Sequence, residues 1–278
     1  MFNEQTKRYE LLKTLLLWEG RLNNARLREL LDMKVARSSQ LIREFRDEHP
    51  SWTEWDTVAR SYHATAAAYR SKIDTATSLA QYLALVGIPH TTSTTSAGQT
   101  LWNAFPDLSV PPPRTFAQLA SAIRSSRRVQ MTYRSMGTPK PHLREISPHS
   151  LVRAGRRWHV RAFCSTRQEF RDFALGRIEN PKVRNEASER NVIDDTAWNT
   201  MLDVRLIAHP ALSEEQQNVV RLEYFSNTSA RVERCRAALV SYFVQDVRAA
   251  TDVVRQPPPE FQLAVENMEE LGEWMFTD

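Results

Sequence analysis

Two stretches near the middle of the chain carry the side chains best suited to hold an anion. Arg157-Trp158-His159-Val160-Arg161-Ala162-Phe163-Cys164 and Arg171-Asp172-Phe173-Ala174-Leu175-Gly176-Arg177-Ile178 both alternate at period two, as strands do. Strand geometry then predicts Arg171, Phe173, Leu175 and Arg177 on one face. In the first stretch it sets His159 and Arg161 opposite Trp158, Val160 and Ala162. Arginine suits phosphate because its fork meets the oxygens two at a time and keeps its charge. Tyr133 and Ser135, two residues apart, would share a strand face whose hydroxyls can orient a phosphate or ribose. Each feature also has a plainer reading: a solvated strand face with ordinary surface arginines, and a Tyr133 that belongs to the core.

The ordered run Val129-Gln130-Met131-Thr132-Tyr133-Arg134-Ser135, Ile146-Ser147-Pro148-His149, the Trp158 strand and the Arg171-to-Ile178 segment resembles a WYL domain. That domain is a small SH3- or Sm-like β-barrel of bacterial transcription regulators. The last segment fits the family pattern R-x-F-x-L-x-R-I at every specified position. The naming triplet departs, with Trp158-His159-Val160 where Trp-Tyr-Leu is usual. A Trp-His-x-Arg version resembles the regulators that sit beside bacterial phage-defence operons. The resemblance implies a ligand-binding set of Tyr133, Ser135, His149, His159, Arg161, Arg171 and Arg177. It also implies a nucleotide, oligonucleotide or single-stranded nucleic acid as effector. His149, alone, fits a turn-capping role equally well.

These residues need elements to hold them, and the N-terminal region supplies a different set. Tyr9, Leu12, Leu15 and Leu16 fall on one face of a predicted helix from about Glu4 to Glu19, ended by Gly20. Asn23 or Asn24 caps a second helix with Leu27, Leu30 and Leu31 turned inward. After Met33-Lys34-Val35 a third helix runs to about Glu48, buries Leu41, Ile42 and Phe45, and is stopped by Pro50. Thr53–Asp56 and Ser61–Ala64 read as two short strands of a wing around Thr57-Val58-Ala59-Arg60. The pattern is a winged helix-turn-helix. The DNA-reading candidates are Arg37, Ser38, Ser39, Gln40, Arg43 and Arg46 on the third helix and Arg60 at the wing tip. A merely solvated helix face would show the same residue types.

Charge is unevenly placed in a chain whose formal net charge is only +4. Residues 1–72 carry 13 Lys/Arg against 10 Asp/Glu, residues 120–190 carry 16 against 6, and residues 191–278 carry 7 against 15. The basic middle favours an anionic partner, while the acidic C-terminal part opposes indiscriminate polyanion binding. Apolar residues at 41% and charged residues at 25% are ordinary for a globular protein, and 278 residues suffice for two or three small domains. With no membrane-length apolar run and no apolar leader core, a cytoplasmic location without membrane attachment is expected. Cys164 and Cys235 suit a reducing compartment, and no zinc motif can be drawn from them.

The expected fold class is α+β and multi-domain. The divisions are a winged helix-turn-helix (1–72), a helical linker (73–118), a WYL ligand-sensing barrel (119–188) and an α/β dimerisation region (189–278). Within the linker, Asp74 or Thr75 would cap a helix to Val86. A Thr/Ser-rich stretch (Thr91–Ser96) and Pro111-Pro112-Pro113 follow, then a helix from about Thr115 to Ser125. In the last region a strand is expected over Ala197–Ala208. A helix opened by a Ser213/Gln216 capping box should run to about Phe225, a second from about Ala230 to Val247, and an acidic helix or tail from Phe261 to Phe276. No P-loop or dinucleotide fingerprint is present, and with 7 glycines a phosphate cradle is unsupported. No enzyme activity, cofactor or metal is therefore expected. The function expected is a homodimeric repressor on an inverted-repeat duplex operator, released by a ligand. The alternative is an accessory single-stranded nucleic-acid-binding subunit of a defence or repair complex.

Overall fold

The computed structural model describes residues 4–71, 75–87 and 109–276. The chain divides into two compact units, Met1–Pro106 and Asp107–Asp278. In the first, α1 (Glu4–Glu19), β1 (Arg21–Leu22), α2 (Asn24–Leu31) and α3 (Val35–Glu48) lead to the wing strands β2 (Thr53–Asp56) and β3 (Ser61–Ala64). Short α4 (Ala66–Tyr69) and α5 (Thr75–Val86) complete it. Asn23 is the residue that caps α2, accepting from the Arg26 amide at 2.7 Å. Leu12, Leu15, Leu16, Leu27, Leu41, Ile42 and Phe45 form the core. They are the residues whose helical spacing marked them as buried. Helix α5 packs with this core rather than standing free as linker: Tyr82 is buried and its ring stacks on Trp18 at 6.4 Å. Asp74 and Thr91–Ser96 lie outside the described residues.

In the second unit, α6 (Pro113–Arg124) begins two residues earlier than the expected Thr115, because Pro113 has its ring-fixed φ ready for a helix's first turn. It lies on a sheet made of β4 (Arg127–Tyr133), β5 (His142–Ala154), β6 (Arg157–Cys164), β7 (Glu169–Ala174) and β8 (Ile178–Ala187). The order is β7-β6-β5-β4-β8, all antiparallel neighbours. The sheet is thus open between its edges, not the closed barrel expected. A 3-10 turn, Leu175–Arg177, joins edge strand β7 to edge strand β8. The expectation of one continuous strand from Arg171 to Ile178 is corrected there. Leu175 is fully buried, and the turn breaks the period, so Arg171 and Arg177 do not share a strand face.

A 3-10 turn (Val192–Asp194) and α7 (Thr196–Asn199) form the connector to the C-terminal part. There β9 (Met201–Ala208), α8 (Glu214–Tyr224), β10 (Ala230–Arg236), α9 (Val240–Asp246), β11 (Ala249–Ala250), β12 (Leu263–Val265) and α10 (Met268–Leu271) surround a second sheet of order β10-β9-β12-β11. The Ser213/Gln216 capping box is present. The long helix expected over Ala230–Val247 is instead a strand and a short helix. Val232 and Cys235 fit helical spacing locally, but Ala230–Arg236 pairs residue for residue with β9, and that pairing overrides the local pattern. The tail expected over Phe261–Phe276 contributes β12, whose Leu263, Ala264 and Val265 are all buried because it lies between β9 and β11. The strand expected from Ala197 begins only at Met201, since Asp195 caps a helical turn first.

Leu119 of α6 is fully buried against the five-stranded sheet, whereas Leu143 of β5 is 68% exposed. Leu119→Ala is expected to cost roughly 2–5 kcal/mol in urea unfolding. Leu143→Ala should stay within about 0.5 kcal/mol of the parent protein.

Candidate DNA-binding and ligand-binding sites

Helix α3 is amphipathic: Leu41, Ile42 and Phe45 face the core, and Ser39, Gln40 and Arg43 face outward. A groove runs between α3 and the wing, lined in part by Asn24, Ser39, Arg43, Arg46, Arg60 and Tyr62. The wing turn is stiffened by Asp56, whose carboxylate accepts from the amides of Val58 and Ala59 at 2.8 and 2.9 Å. Those two bonds hold the Asp56 carboxyl below its ordinary range. Arg60 takes a left-handed φ of 50° at the wing's end.

The candidates divide by how free they are. Arg43 and Arg60 are exposed, as are Ser39 and Gln40, but Gln40 donates to Glu44 Oε1 at 2.7 Å and Ser39 Oγ accepts from Asn24 Nδ2. Arg37 is half-buried and lies 3.9 Å from Glu44. Arg46 is partly committed: its guanidinium lies 4.1 Å over the Tyr62 ring and donates to the Tyr62 hydroxyl at 3.0 Å. Ser38 is a correction. It is fully buried and donates to Asn24 Oδ1 at 2.6 Å, while Asn24 Nδ2 also contacts Ser39 Oγ. Asn24 therefore pins α2 to the start of α3, a positioning role that the capping signal at Asn23 and Asn24 only half disclosed.

The ligand-binding candidates divide more sharply, because the C-terminal part covers the face of β6 expected to be open. His159 and Arg161 are both buried. Arg161 meets Asp195 through two parallel bonds, Nε to Oδ2 at 2.7 Å and Nη2 to Oδ1 at 3.1 Å, and approaches Asp172 at 3.5 Å. His149 is the extra residue of a bulge, since Pro148 pairs with Ala162 and Ser150 with Arg161. The bulge turns its ring to Asp195 Oδ2, 3.1 Å from Nε2, while Nδ1 lies 2.9 Å from the Ser150 hydroxyl. The Trp198 amide donates to Asp195 Oδ1 at 3.2 Å, so both carboxylate oxygens are twice bonded. Tyr242 of α9 donates to Asp172 at 3.3 Å, and its ring lies 4.9 Å from that of His159.

The electrostatics follow from this burial. Burial alone would raise the Asp195 carboxyl, but the His149 and Arg161 hydrogen bonds outweigh it and hold the group well below the usual carboxylate range. At Asp172 burial wins over the longer Arg161 contact, and the carboxyl is pushed up. Burial lowers His159 to about 4, helped by the nearby charges of Arg157 and Arg177. Burial, with Asp172 opposite, pushes the Tyr242 phenol up.

Arg161 is therefore held by internal carboxylates rather than open to a ligand. Tyr133 is a core residue whose hydroxyl accepts from the Ala174 amide at 3.3 Å. Ser135 lies beyond the end of β4 and accepts from the Thr138 amide at 2.9 Å, so it does not share a strand face with Tyr133. Arg171 is exposed and paired with Glu169 at 2.9 Å. Arg177, half-buried, and exposed Arg157 act on His159, whose Nδ1 is buried without a hydrogen-bond partner. Asp172, Asp195 and Tyr242 escaped sequence reading. Asp195 could have been found as the N-cap before Thr196-Ala197-Trp198, but its pairing with Arg161, 34 residues away, leaves no local signal. Among the described residues no group of three or more His, Cys, Asp or Glu is placed to hold a metal ion, and no helix is long and apolar enough to cross a membrane.

Residues 4–87 match the BrxR transcriptional regulator winged helix-turn-helix domain, 114–183 the WYL domain, and 201–271 the BrxR transcriptional regulator C-terminal dimerization domain. A winged helix-turn-helix joined to a WYL domain and a dimerisation domain defines a WYL-class transcription regulator. Two relatives, from Pseudomonas aeruginosa and Escherichia coli (strain KTE188), are each described as the DNA-binding transcriptional repressor CapW. Each is 31% identical, over 281 and 273 residues respectively, covering 96% of this chain and 90% of its own length. A Stenotrophomonas maltophilia protein of the same description is 35% identical over 162 residues, 58% of this chain and 54% of its own. The chain belongs to the CapW family of WYL-domain regulators. Among solved structures, the proteasome accessory factor B/C of Arthrobacter aurescens aligns with a TM-score of 0.29 at 14% identity, over 96% of this chain and 47% of that one.

Removing Asp195 leaves Arg161 buried with only the long Asp172 contact. Asp195→Ala is expected to destabilise the protein by roughly 3–5 kcal/mol, read by urea unfolding at neutral pH. Because the folded-state Asp195 carboxyl is depressed, its contribution is present above the ordinary carboxylate range and is lost as pH falls below it. His159 has a second, separate window. Its folded value of about 4 lies below the ordinary 6.5, so the unfolded chain binds the extra proton and stability falls as pH drops from 6.5 to 4. His159→Phe should flatten the unfolding midpoint across that interval; an unchanged acid slope would show that His159 is not its source.

Proposed function

We propose that the protein is a homodimeric, sequence-specific DNA-binding repressor acting in the cytoplasm on an inverted-repeat operator, with a phage-defence operon as its target. The observation that carries this is the α3–wing groove, which gathers Ser39, Arg43, Arg46 and Arg60 along one surface of the N-terminal unit. In this reading Gln40 and Arg43 reach base edges, while Ser39, Arg37 and Arg60 meet phosphates and Arg46 is held by Tyr62 to approach the backbone. Family membership supports the repressor sign, since the relatives are described as repressors.

The effector in this reading is a nucleotide, oligonucleotide or single-stranded nucleic acid bound by the WYL domain. Its support is the excess of 16 Lys/Arg over 6 Asp/Glu in residues 120–190, and the pair Arg157 and Arg177 beside His159. The binding set is Arg177 and His159 with Arg157 added; Arg161 and His149 act behind it, through Asp195, and Arg171, whose register opposite Ala162 puts it on the other face of the sheet, is left out of the set. Ligand would favour one dimer geometry over another, which requires different affinity for the two. No chemistry on the effector is proposed.

Fluorescence anisotropy on the gene's own upstream duplex, a scrambled duplex and a single strand tests the assignment. Preference for the upstream duplex is expected, weakened roughly 10-fold or more by Arg43→Ala. Arg177→Ala is expected to keep duplex affinity and lose response to an added oligonucleotide, whereas Arg171→Ala, on the other face of the sheet, should keep both. Preference for single strand over every duplex would instead favour the accessory-subunit reading.

A further inference from the structure

The C-terminal domain contains a helix far less buried than its apolar content requires. Of the eleven residues of α8, only Val220 is buried. Val219 and Leu222, three residues apart, are 62% and 64% exposed, and Tyr224 is 39% exposed. A helix this short draws most of its stability from packing an apolar face, so an outward apolar stripe calls for a second surface. Beside that stripe lies a groove of about 410 Å³, lined on the helix side by Leu212, Val219 and Val220 with Gln216 and Glu223 at its polar margin, and opposite by Pro258, Pro259 and Gln262. An apolar knob next to a mostly apolar groove is self-complementary under a two-fold axis, as a homodimer contact must be.

We propose that α8 is the dimerisation surface: a second copy of this chain seats its Leu222 in the Leu212/Val220/Pro258/Pro259 groove, and the two Val219 side chains meet near the axis. This rests on the dimeric reading above and specifies its interface. The occupant is a second copy because residues 201–271, which include both knob and groove, match a C-terminal dimerization domain. Other apolar residues of the domain are exposed as well, Val254 at 84% and Phe276 at 52% among them; Val232, 51% exposed, is the one on an edge strand, β10. Its register opposite Arg205 puts it on the face of the sheet away from Val204 and the core. That face carries Arg205, Asp203 and Arg234 beside it, a poor centre for a dry contact.

The test is analytical ultracentrifugation of the full chain across a concentration series, with Leu222→Glu and Val232→Glu compared with the parent protein. Circular dichroism serves as a fold check, and both sites are exposed enough to take the charge. The expected result is a parent dimer, a Val232→Glu dimer and a Leu222→Glu protein whose self-association is weaker by roughly 100-fold or more, because two carboxylates would be buried symmetrically in apolar grooves. A monomeric parent protein would overturn the dimeric reading itself. A parent dimer that Leu222→Glu leaves intact would overturn only the α8 assignment. Dissociation by Val232→Glu with Leu222→Glu still dimeric would do the same and move the contact to the β10 face.

Discussion

A guanidinium cannot shed its charge, so a buried arginine obliges the fold to bring carboxylates to it. Arg161, in the middle of β6, imposes that constraint on the second unit. It is met by Asp195 from the connector and Asp172 from β7. Asp195 is then completed by His149 from the β5 bulge and by the amide of Trp198. Asp172 takes the hydroxyl of Tyr242 from α9. One cation thus ties together two neighbouring strands, the connector and a helix of the C-terminal domain. Such a network gives little net stability over an apolar substitute, but it penalises any register or docking that leaves a member unpaired.

This arrangement bears on how a WYL domain could influence dimerisation. The connector that leaves the five-stranded sheet is the same segment that carries Asp195, and α9 is covalently part of the four-stranded sheet's domain. Arg177, Arg157 and His159 lie at the edge of the network, with His159 against Tyr242. A charge arriving at those arginines would be felt first by the His159 imidazole, whose Nδ1 is buried without a hydrogen-bond partner, and next by the Tyr242–Asp172 contact. The path from basic surface to C-terminal domain is short and consists of packed, hydrogen-bonded groups, not an extended relay.

The N-terminal unit works by a different principle. Its core is built from apolar side chains with a few buried hydroxyls such as Ser38 among them, and its orienting polar contacts are local: Asn23 at a helix start, Asn24 bridging two helices, Asp56 closing the wing turn. Each fixes the angle at which α3 and the wing present their free side chains. Tyr62 does the same for Arg46, holding its guanidinium against a ring and leaving less freedom to lose on binding.

What the sequence determined by itself was whatever local periodicity and punctuation encode. The first three helices and two wing strands of the N-terminal unit lie where Leu12, Leu27, Leu41, Phe45, Gly20 and Pro50 put them, and Ser213 with Gln216 located the start of α8. Motif order alone disclosed the WYL domain. Tertiary structure decided the rest, because the deciding partners are distant in sequence. Whether His159 and Arg161 face water depended on Tyr242 and Asp195, which cover them from 83 and 34 residues away. Whether Val232 and Cys235 lie on a helix or a strand depended on the edge of β9 with which they pair. Period-two spacing assigns residues to a face, but only the elements packed on that face decide whether it is solvent, core or site.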